Sequence, residues 1–219
     1  MQARHEPDRG PTNARGRRTR GALLAAARSL LEERGFAELS MAAVAERAGV
    51  TRRAVYLHFG SRSDLVRGLF EWVAQTEGLT ASLERVGSAP DAVSALDEWA
   101  RHEATYHVRI LGVARALEQV GRDDPDAVVW RQRIMERQLA DCRYLAERLA
   151  NEQRLAPGWS VDSASDMLWA LTATEPLERL LVDRAWPPES YAAQFGQLLR
   201  CTFVRSVDPT ARATPRLPP

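Results

Sequence analysis

Residues 35–65 read GFAELSMAAVAERAGVTRRAVYLHFGSRSDL, and this stretch decides the fold. Three short helical patterns follow one another, separated by Gly35, Gly49 and Gly60 at turn spacing. The first, residues 41–48, has Ser40 placed to cap its free amides. The second, residues 51–59, is about two turns long, basic at its start and aromatic at its end. The third opens at Ser61, where Ser61-Arg62-Ser63-Asp64 has the form of a capping box with Asp in place of Glu. Helices this short bury too little surface to stand alone. Val44, Ala45, Ala48, Val50, Val55 and Phe59 supply an apolar wedge, and Leu23, Ala27, Leu30 and Leu31 supply the stripe it needs on a helix over residues 17–34. Gly35 is the left-handed stop of that helix, with Phe36 folding back behind it.

Outward from the wedge, the pattern leaves Thr51, Arg52, Arg53, Tyr56 and His58 on one face. A guanidinium offers a bidentate fork to guanine edges, threonine meets a thymine methyl or a phosphate, and a tyrosine hydroxyl suits phosphate. Arg62, beside the free amides that follow Ser61, makes a phosphate seat. A short basic helix carried second in a helix-turn-helix is how such a protein enters the DNA major groove. Ser40 and Arg18 complete the expected DNA-contacting set. Arg15, Arg17, Arg18 and Arg20 read as a lead-in arm that holds phosphates more than it reads the minor groove.

Charge supports the same partner. All 30 basic residues of the 219 are arginine, but they are unevenly placed. Residues 1–68 carry 13 arginines against 7 acids, a net of +6, while residues 69–219 are net −5. A basic head on an acidic body points to a polyanion for the head alone. Cys142 and Cys201 form no CxxC pair and read as small core residues of a reducing compartment. No apolar run approaches the ~18 residues of a membrane span, and the arginine-rich start lacks the apolar segment of a secretory signal, so a cytoplasmic protein is expected.

Beyond the head the helical period persists and strand alternation is absent, which predicts an all-α chain of about nine helices. The fourth helix runs on to about residue 77 and is the expected mechanical link from head to body. Further helices are predicted over 89–107, 109–120, 125–153, 161–184 and 188–206. The 125–153 helix has a stripe of Met135, Leu139, Cys142, Leu145, Ala146 and Leu149. Pro176 predicts a kink around Thr172. The domain reading is a disordered arm at 1–16, a helix-turn-helix domain at 17–68, a larger helical body at 69–207 and a disordered tail at 208–219.

The run Leu39-Ser40-Met41, Val44-Ala45, Ala48-Gly49-Val50, Val55-Tyr56-Leu57-His58-Phe59 and Arg62-Ser63-Asp64-Leu65 resembles the amino-terminal domain of the TetR family of bacterial transcriptional regulators. The resemblance is dense over residues 17–68. It implies an all-helical homodimer with a DNA-reading head and a ligand-binding body. Carried over by position, it puts Arg52, Arg53 and Ala54 on bases and Tyr56 and Arg62 on phosphates. Arg62 stands where the family usually has lysine. The run from Ala170 to Leu181 is similar to the penultimate helix of many members, which implies a dimer interface from the last two helices, with Leu168, Leu171, Leu180, Leu181, Tyr191, Phe195 and Leu198 facing a partner or the chain's own core.

For the body, Trp99, Tyr106, Trp130 and Trp169, with polar help from His102, Glu103, Arg109 and Thr172, are the candidate ligand contacts. They favour a flat or largely apolar effector. No catalytic constellation is present, and no cofactor or metal is expected. His102 and His107 are five apart, which on an α-helix turns them away from each other by roughly 140° and argues against a shared ion. The resulting expectation is a ligand-responsive repressor that leaves a near-palindromic double-stranded operator when a small molecule binds. A regulator controlled by a protein partner is the nearest alternative, and a helical-bundle enzyme with a vestigial head is the distant one.

Overall fold

A computed structural model describes residues 14–119 and 124–205. Every regular element among the described residues is helical. In chain order these are α1 (Ala14–Arg34), α2 (Met41–Arg47), α3 (Arg52–Tyr56), α4 (Arg62–Thr76), α5 (Leu79–Ser88), α6 (Ala92–His102), α7 (Leu111–Glu118), α8 (Pro125–Asn151), α9 (Val161–Leu171), α10 (Thr174–Glu178) and α11 (Pro188–Phe203). A 3-10 turn covers Phe36–Glu38, and π turns cover Glu103–His107 and Arg179–Asp183. An isolated antiparallel bridge pairs Leu155 with Val204.

The all-α expectation is met, with differences in detail. α5 falls in a stretch that the periodicity passed over. α1 begins at Ala14, inside the segment read as an aperiodic arm; the rest of that arm and the tail from residue 206 lie outside the described residues. The helix expected over 161–184 ends at Leu171, with Thr172 as its C-cap, and resumes at Thr174, two residues before Pro176. The proline removes an amide that an unbroken helix would need, so the chain breaks where the kink was placed.

The described residues divide into two compact units, one of residues 14–81, 106–119 and 124–136, the other of residues 82–105 and 137–205. α4 runs unbroken across the boundary expected at residue 68, lies wholly in the first unit and is followed by Gly78 at φ 78°. α8 is the long helix whose residues fall in both units.

In the first unit, Leu23, Ala27, Leu30 and Leu31 of α1 are buried with Val44 and Ala45 of α2, Val55 of α3 and Leu65, Val66 and Leu69 of α4. Val113, Ala116 and Leu117 of α7 and Ala127 of α8 join the same cluster, and Trp130 and Ile134 pack against it. Gly35 takes φ 80° and its amide donates to the Leu31 carbonyl at 3.0 Å, which lets Phe36 return to the core at 1% exposure. Each buried leucine here contributes roughly 2 kcal/mol by area.

In the second unit α6 packs on α11, where a side chain at Gly196 would meet Asp97 Oδ1 at 2.9 Å. Asp97 also pairs with Arg200. Trp99, Leu145, Ala146, Leu149, Leu168, Leu199 and Phe203 are all buried to within 1%. The stripe read on α8 is only partly a core face, because Met135 and Leu139 are exposed while Cys142 onward is buried. Cys201, read as a core residue, is exposed.

α1 and α2 are also joined electrostatically. Arg47 donates to both carboxylate oxygens of Glu33 at 2.8 and 2.6 Å, and Ser29 donates to Glu33 at 2.7 Å. These bonds hold the Glu33 carboxyl down from 4.5 to about 2. A depressed folded-state pKa means that the stabilisation is full above the ordinary glutamate range and is lost as pH falls toward about 2. Acid titration followed by far-ultraviolet circular dichroism should therefore show Glu33→Gln less sensitive to pH than the wild type between about 4.5 and 2. Superimposable acid transitions would remove the pair from the stability of the head.

Candidate nucleic-acid interface

Three hydroxyl caps build the head. Ser40 Oγ accepts from Ala43 N at 3.1 Å, Thr51 Oγ1 from Ala54 N at 3.2 Å and Ser61 Oγ from Asp64 N at 3.1 Å. Each accepting hydroxyl still has its own proton to donate, so capping does not spend Ser40 or Thr51 for an anion outside. The expected box at Ser61 is modified, since the Asp64 carboxylate takes Arg67 at 3.0 Å.

α3 has one inward and one outward face. Val55 is fully buried and Phe59 nearly so, which turns Thr51, Arg52, Arg53 and Tyr56 to the surface. Ala54 is half-buried between these faces. Arg52 lies 5.6 Å from the Tyr56 ring centroid and its Nη2 is 3.4 Å from the tyrosine hydroxyl. The pair thus presents a cation and a phenol together, one suited to a base edge and the other to a phosphate. Leu57 is 76% exposed at the end of the same helix and was absent from the expected set. Its position two residues from both Val55 and Phe59, off the buried face, was the available signal. An exposed leucine there offers the apolar contact that a thymine methyl accepts.

Arg20 and His58 change character, and the other lead-in arginines keep theirs. Arg20 is not part of an arm: it donates to the His58 carbonyl at 2.8 Å and its guanidinium lies 4.3 Å from the Phe59 ring centroid. Arg15, Arg17 and Arg18 are exposed on the first turns of α1, so a helix and not an extended strand presents them, which fits phosphate contact better than minor-groove insertion. His58 is partly buried; burial first and the Arg20 cation second push its pKa down, which disfavours its charged form.

Arg62 is the largest correction. In this structure it does not face outward as a phosphate seat. Nε donates to the Leu39 carbonyl at 2.7 Å, Nη1 to Asp124 at 3.1 Å and Asp126 at 2.8 Å, and Nη2 to Asp124 at 2.7 Å and the Phe36 carbonyl at 3.0 Å. The guanidinium also lies 5.1 Å from the Phe36 ring centroid. The signal was hidden because Asp124 and Asp126 are 62 and 64 residues away in sequence.

The expected ligand contacts are distributed between the units. Trp130 and Tyr106 belong to the first. Trp130 stacks on Phe70 at 5.2 Å and serves that unit's core. Tyr106 is buried, which raises its hydroxyl to about 12, so it stays a protonated donor. Trp99, His102, Trp169 and Thr172 belong to the second. The Trp99 and His102 rings are 5.0 Å apart, His102 Nδ1 meets Ser82 Oγ at 2.9 Å, and Thr172 Oγ1 donates to the Trp169 carbonyl at 2.8 Å. Burial, then the nearby Glu103 carboxylate, pushes the Cys142 thiol up, which makes it a weak nucleophile. A polar cleft of about 430 Å³ lies among Arg85, Pro90, Asp97, Glu98 and Arg101, and none of the aromatics above lines it. The divergence expected of His102 and His107 also fails. The segment winds as an i→i+5 turn, so residues five apart lie on one side, and the donor atoms of His102, Glu103 and His107 fall within 4.8 Å of one another.

Of the expected interface residues, Leu168, Tyr191 and Phe195 are buried in their own unit, with the two rings stacked at 5.5 Å. Leu171, Leu180 and Leu181 are half-buried, and Leu198 is 48% exposed. Met167, Val182 and Trp186 are exposed as well.

A capped two-helix unit that presents arginines and a tyrosine from its second helix, on a head of net positive charge, defines a helix-turn-helix DNA-binding protein. Comparison with known proteins makes this specific. Residues 23–69 match the family described as bacterial regulatory proteins, tetR family. Over 170 residues, 75% of this chain and 79% of the relative, the sequence is 30% identical to the HTH-type transcriptional regulator CymR of Pseudomonas putida. The chain therefore belongs to the TetR family of bacterial transcriptional regulators. Among solved structures, NalD, the secondary repressor of the MexAB-OprM multidrug efflux pump in Pseudomonas aeruginosa, aligns with a TM-score of 0.70 at 24% identity, over 89% of this chain and 100% of NalD. A SmeT–triclosan complex aligns with a TM-score of 0.69 at 19% identity, over 92% of this chain and 100% of SmeT. Likeness at these identities shows the fold.

The two expected kinds of contact can be separated by substitution. Arg53→Ala should cost about 1–3 kcal/mol on the cognate site and relax preference at particular bases. Arg18→Ala should weaken cognate and scrambled DNA alike and reduce the salt slope by about 1. Competition titrations on both duplexes measure this, and equal losses on both for Arg53→Ala would remove it from base reading.

Proposed function

We propose that this regulator is a homodimeric repressor that releases its operator when a small molecule binds its body. The observation that carries the DNA half is the outward face of α3, where Arg52, Arg53 and Tyr56 stand exposed on a helix anchored through Val55. Two such helices in one dimer would enter successive major grooves about 34–36 Å apart on a near-palindromic site. Binding of purified protein to its own upstream intergenic DNA across a salt series tests this. Tight, salt-dependent and sequence-selective binding is expected; equal weak binding to a scrambled duplex would reduce the head to a merely basic surface.

The dimer would use the apolar residues that α9 and α11 leave exposed. Met167 and Leu198 are 43% and 48% exposed in the single chain, more than isolated core residues would be. Leu198→Asp combined with Met167→Asp should shift sedimentation from dimer to monomer and weaken operator binding together. An unchanged dimer would put the interface elsewhere.

The effector half rests on Trp99, His102, Trp169 and Thr172 in the second unit, a mixture of flat apolar surface and a few polar groups, as small-molecule sites have. SmeT is a relative in fold whose solved complex holds triclosan, a precedent for the class of ligand and not for its identity here. An effector that prefers the conformation incompetent for DNA shifts the population and releases the operator. A small, highly charged inducer would contradict the apolar reading. One observation favours control by a protein partner instead: Trp99 is only 1% exposed, which is how a residue that merely fills a core looks.

A further inference from the structure

We propose that Asp124 and Asp126 position the DNA-reading head through Arg62, and that Arg62 acts as a strut inside the head and not as a phosphate contact. The proposal rests on the DNA-binding reading above. A guanidinium has five N–H donors in a fixed fork. Here all five are used: one on Leu39 O, two shared between Asp124 Oδ1 and Asp126 Oδ2, and two on Asp124 Oδ2 and Phe36 O. No donor is left to offer a phosphate in this arrangement.

The acceptors tie together parts of the chain that set the reading helix. Phe36 and Leu39 bracket the 3-10 turn that leads into Ser40, the cap of α2, and α2 leads directly to α3. Arg62 itself opens α4, directly after that helix's own cap. Asp124 and Asp126 stand at the start of α8, where Asp124 Oδ1 also accepts from Asp126 N at 3.1 Å and Ala127 N at 3.2 Å. Ser63 adds a bond to Asp126 Oδ1 at 2.7 Å. One guanidinium thus fixes the entrance of α2, the first turn of α4 and the first turn of α8 against one another.

The charges favour retention over release. Burial raises the Asp124 carboxyl, yet the Arg62 hydrogen bonds and the two backbone amides more than reverse this and hold it below the ordinary aspartate range. The side chains of Arg62, Asp124 and Asp126 are 27%, 22% and 21% exposed, so solvent screens the pairs only in part. A phosphate would have to displace two carboxylates and two carbonyls to claim the same donors.

The test uses the full-length protein at a temperature where circular dichroism shows every variant folded. Asp124→Asn with Asp126→Asn removes both charges while leaving an asparagine able to cap α8. Arg62→Lys keeps the positive charge but offers three donors from one nitrogen, which cannot serve acceptors spread around a planar fork. Both should lose about tenfold or more in operator affinity, with the wild-type salt slope, because no phosphate contact is removed. A double aspartate variant that binds as tightly as wild type or tighter would overturn the proposal. So would Arg62→Lys with wild-type affinity together with Arg62→Ala lowering the salt slope by about 1, the signature of a phosphate grip. If the double variant does not fold, the Arg62 pair decides alone. Loss of selectivity in the wild type itself would instead refute the DNA-binding reading.

Discussion

Burial of α2 and α3 against α1 is the constraint on which the head depends. α2 has seven residues and α3 five, too few for either to persist in water by its own hydrogen bonds. Val44 and Val55, both fully buried, and Phe59, at 2% exposure, hold them to the leucines of α1. Once that wedge is seated, the other face of α3 has nowhere to go but outward, and the arginines and tyrosine follow. Function at this site is a by-product of which residues the core consumes.

Electrostatics then sets the wedge in place more than it adds stability. The Glu33–Arg47 pair and the Arg62 clasp both run between elements, α1 to α2 in one case and α4 to α8 in the other. Pairs that solvent reaches, fully or in part, contribute modestly each. Their value lies in geometry, since a planar guanidinium with all its donors placed accepts only one arrangement of its neighbours. A planar fork at position 62 meets acceptors in five directions that a point charge would not order.

Much of the head was legible because its signals are local. Gly35 at positive φ, Ser40, Thr51 and Ser61 as caps, and the outward set on α3 all follow from residues within one or two turns of each other. The partners of Arg20 and Arg62 were not legible, for the opposite reason. An arginine near a basic helix looks like a phosphate contact until its partner is known, and the partners were 38 and 62 residues away. The body was less legible still. An apolar stripe such as Met135 to Leu149 does not say which of its members meet a neighbour, and Leu168, Tyr191 and Phe195 could equally have faced a second chain. A divergence of His102 and His107 holds for an α-helix, which the chain does not form there.

The sequence by itself determined the all-helical class, the helix-turn-helix, the outward face of its second helix and the break near Pro176, because periodicity, caps and forbidden amides act within a few residues. Tertiary structure alone decided which arginines face solvent, which aromatics fill a core, and that Asp124 and Asp126 stand beside Arg62. Those outcomes depend on distance between chain segments, and no local pattern encodes a distance that only packing creates.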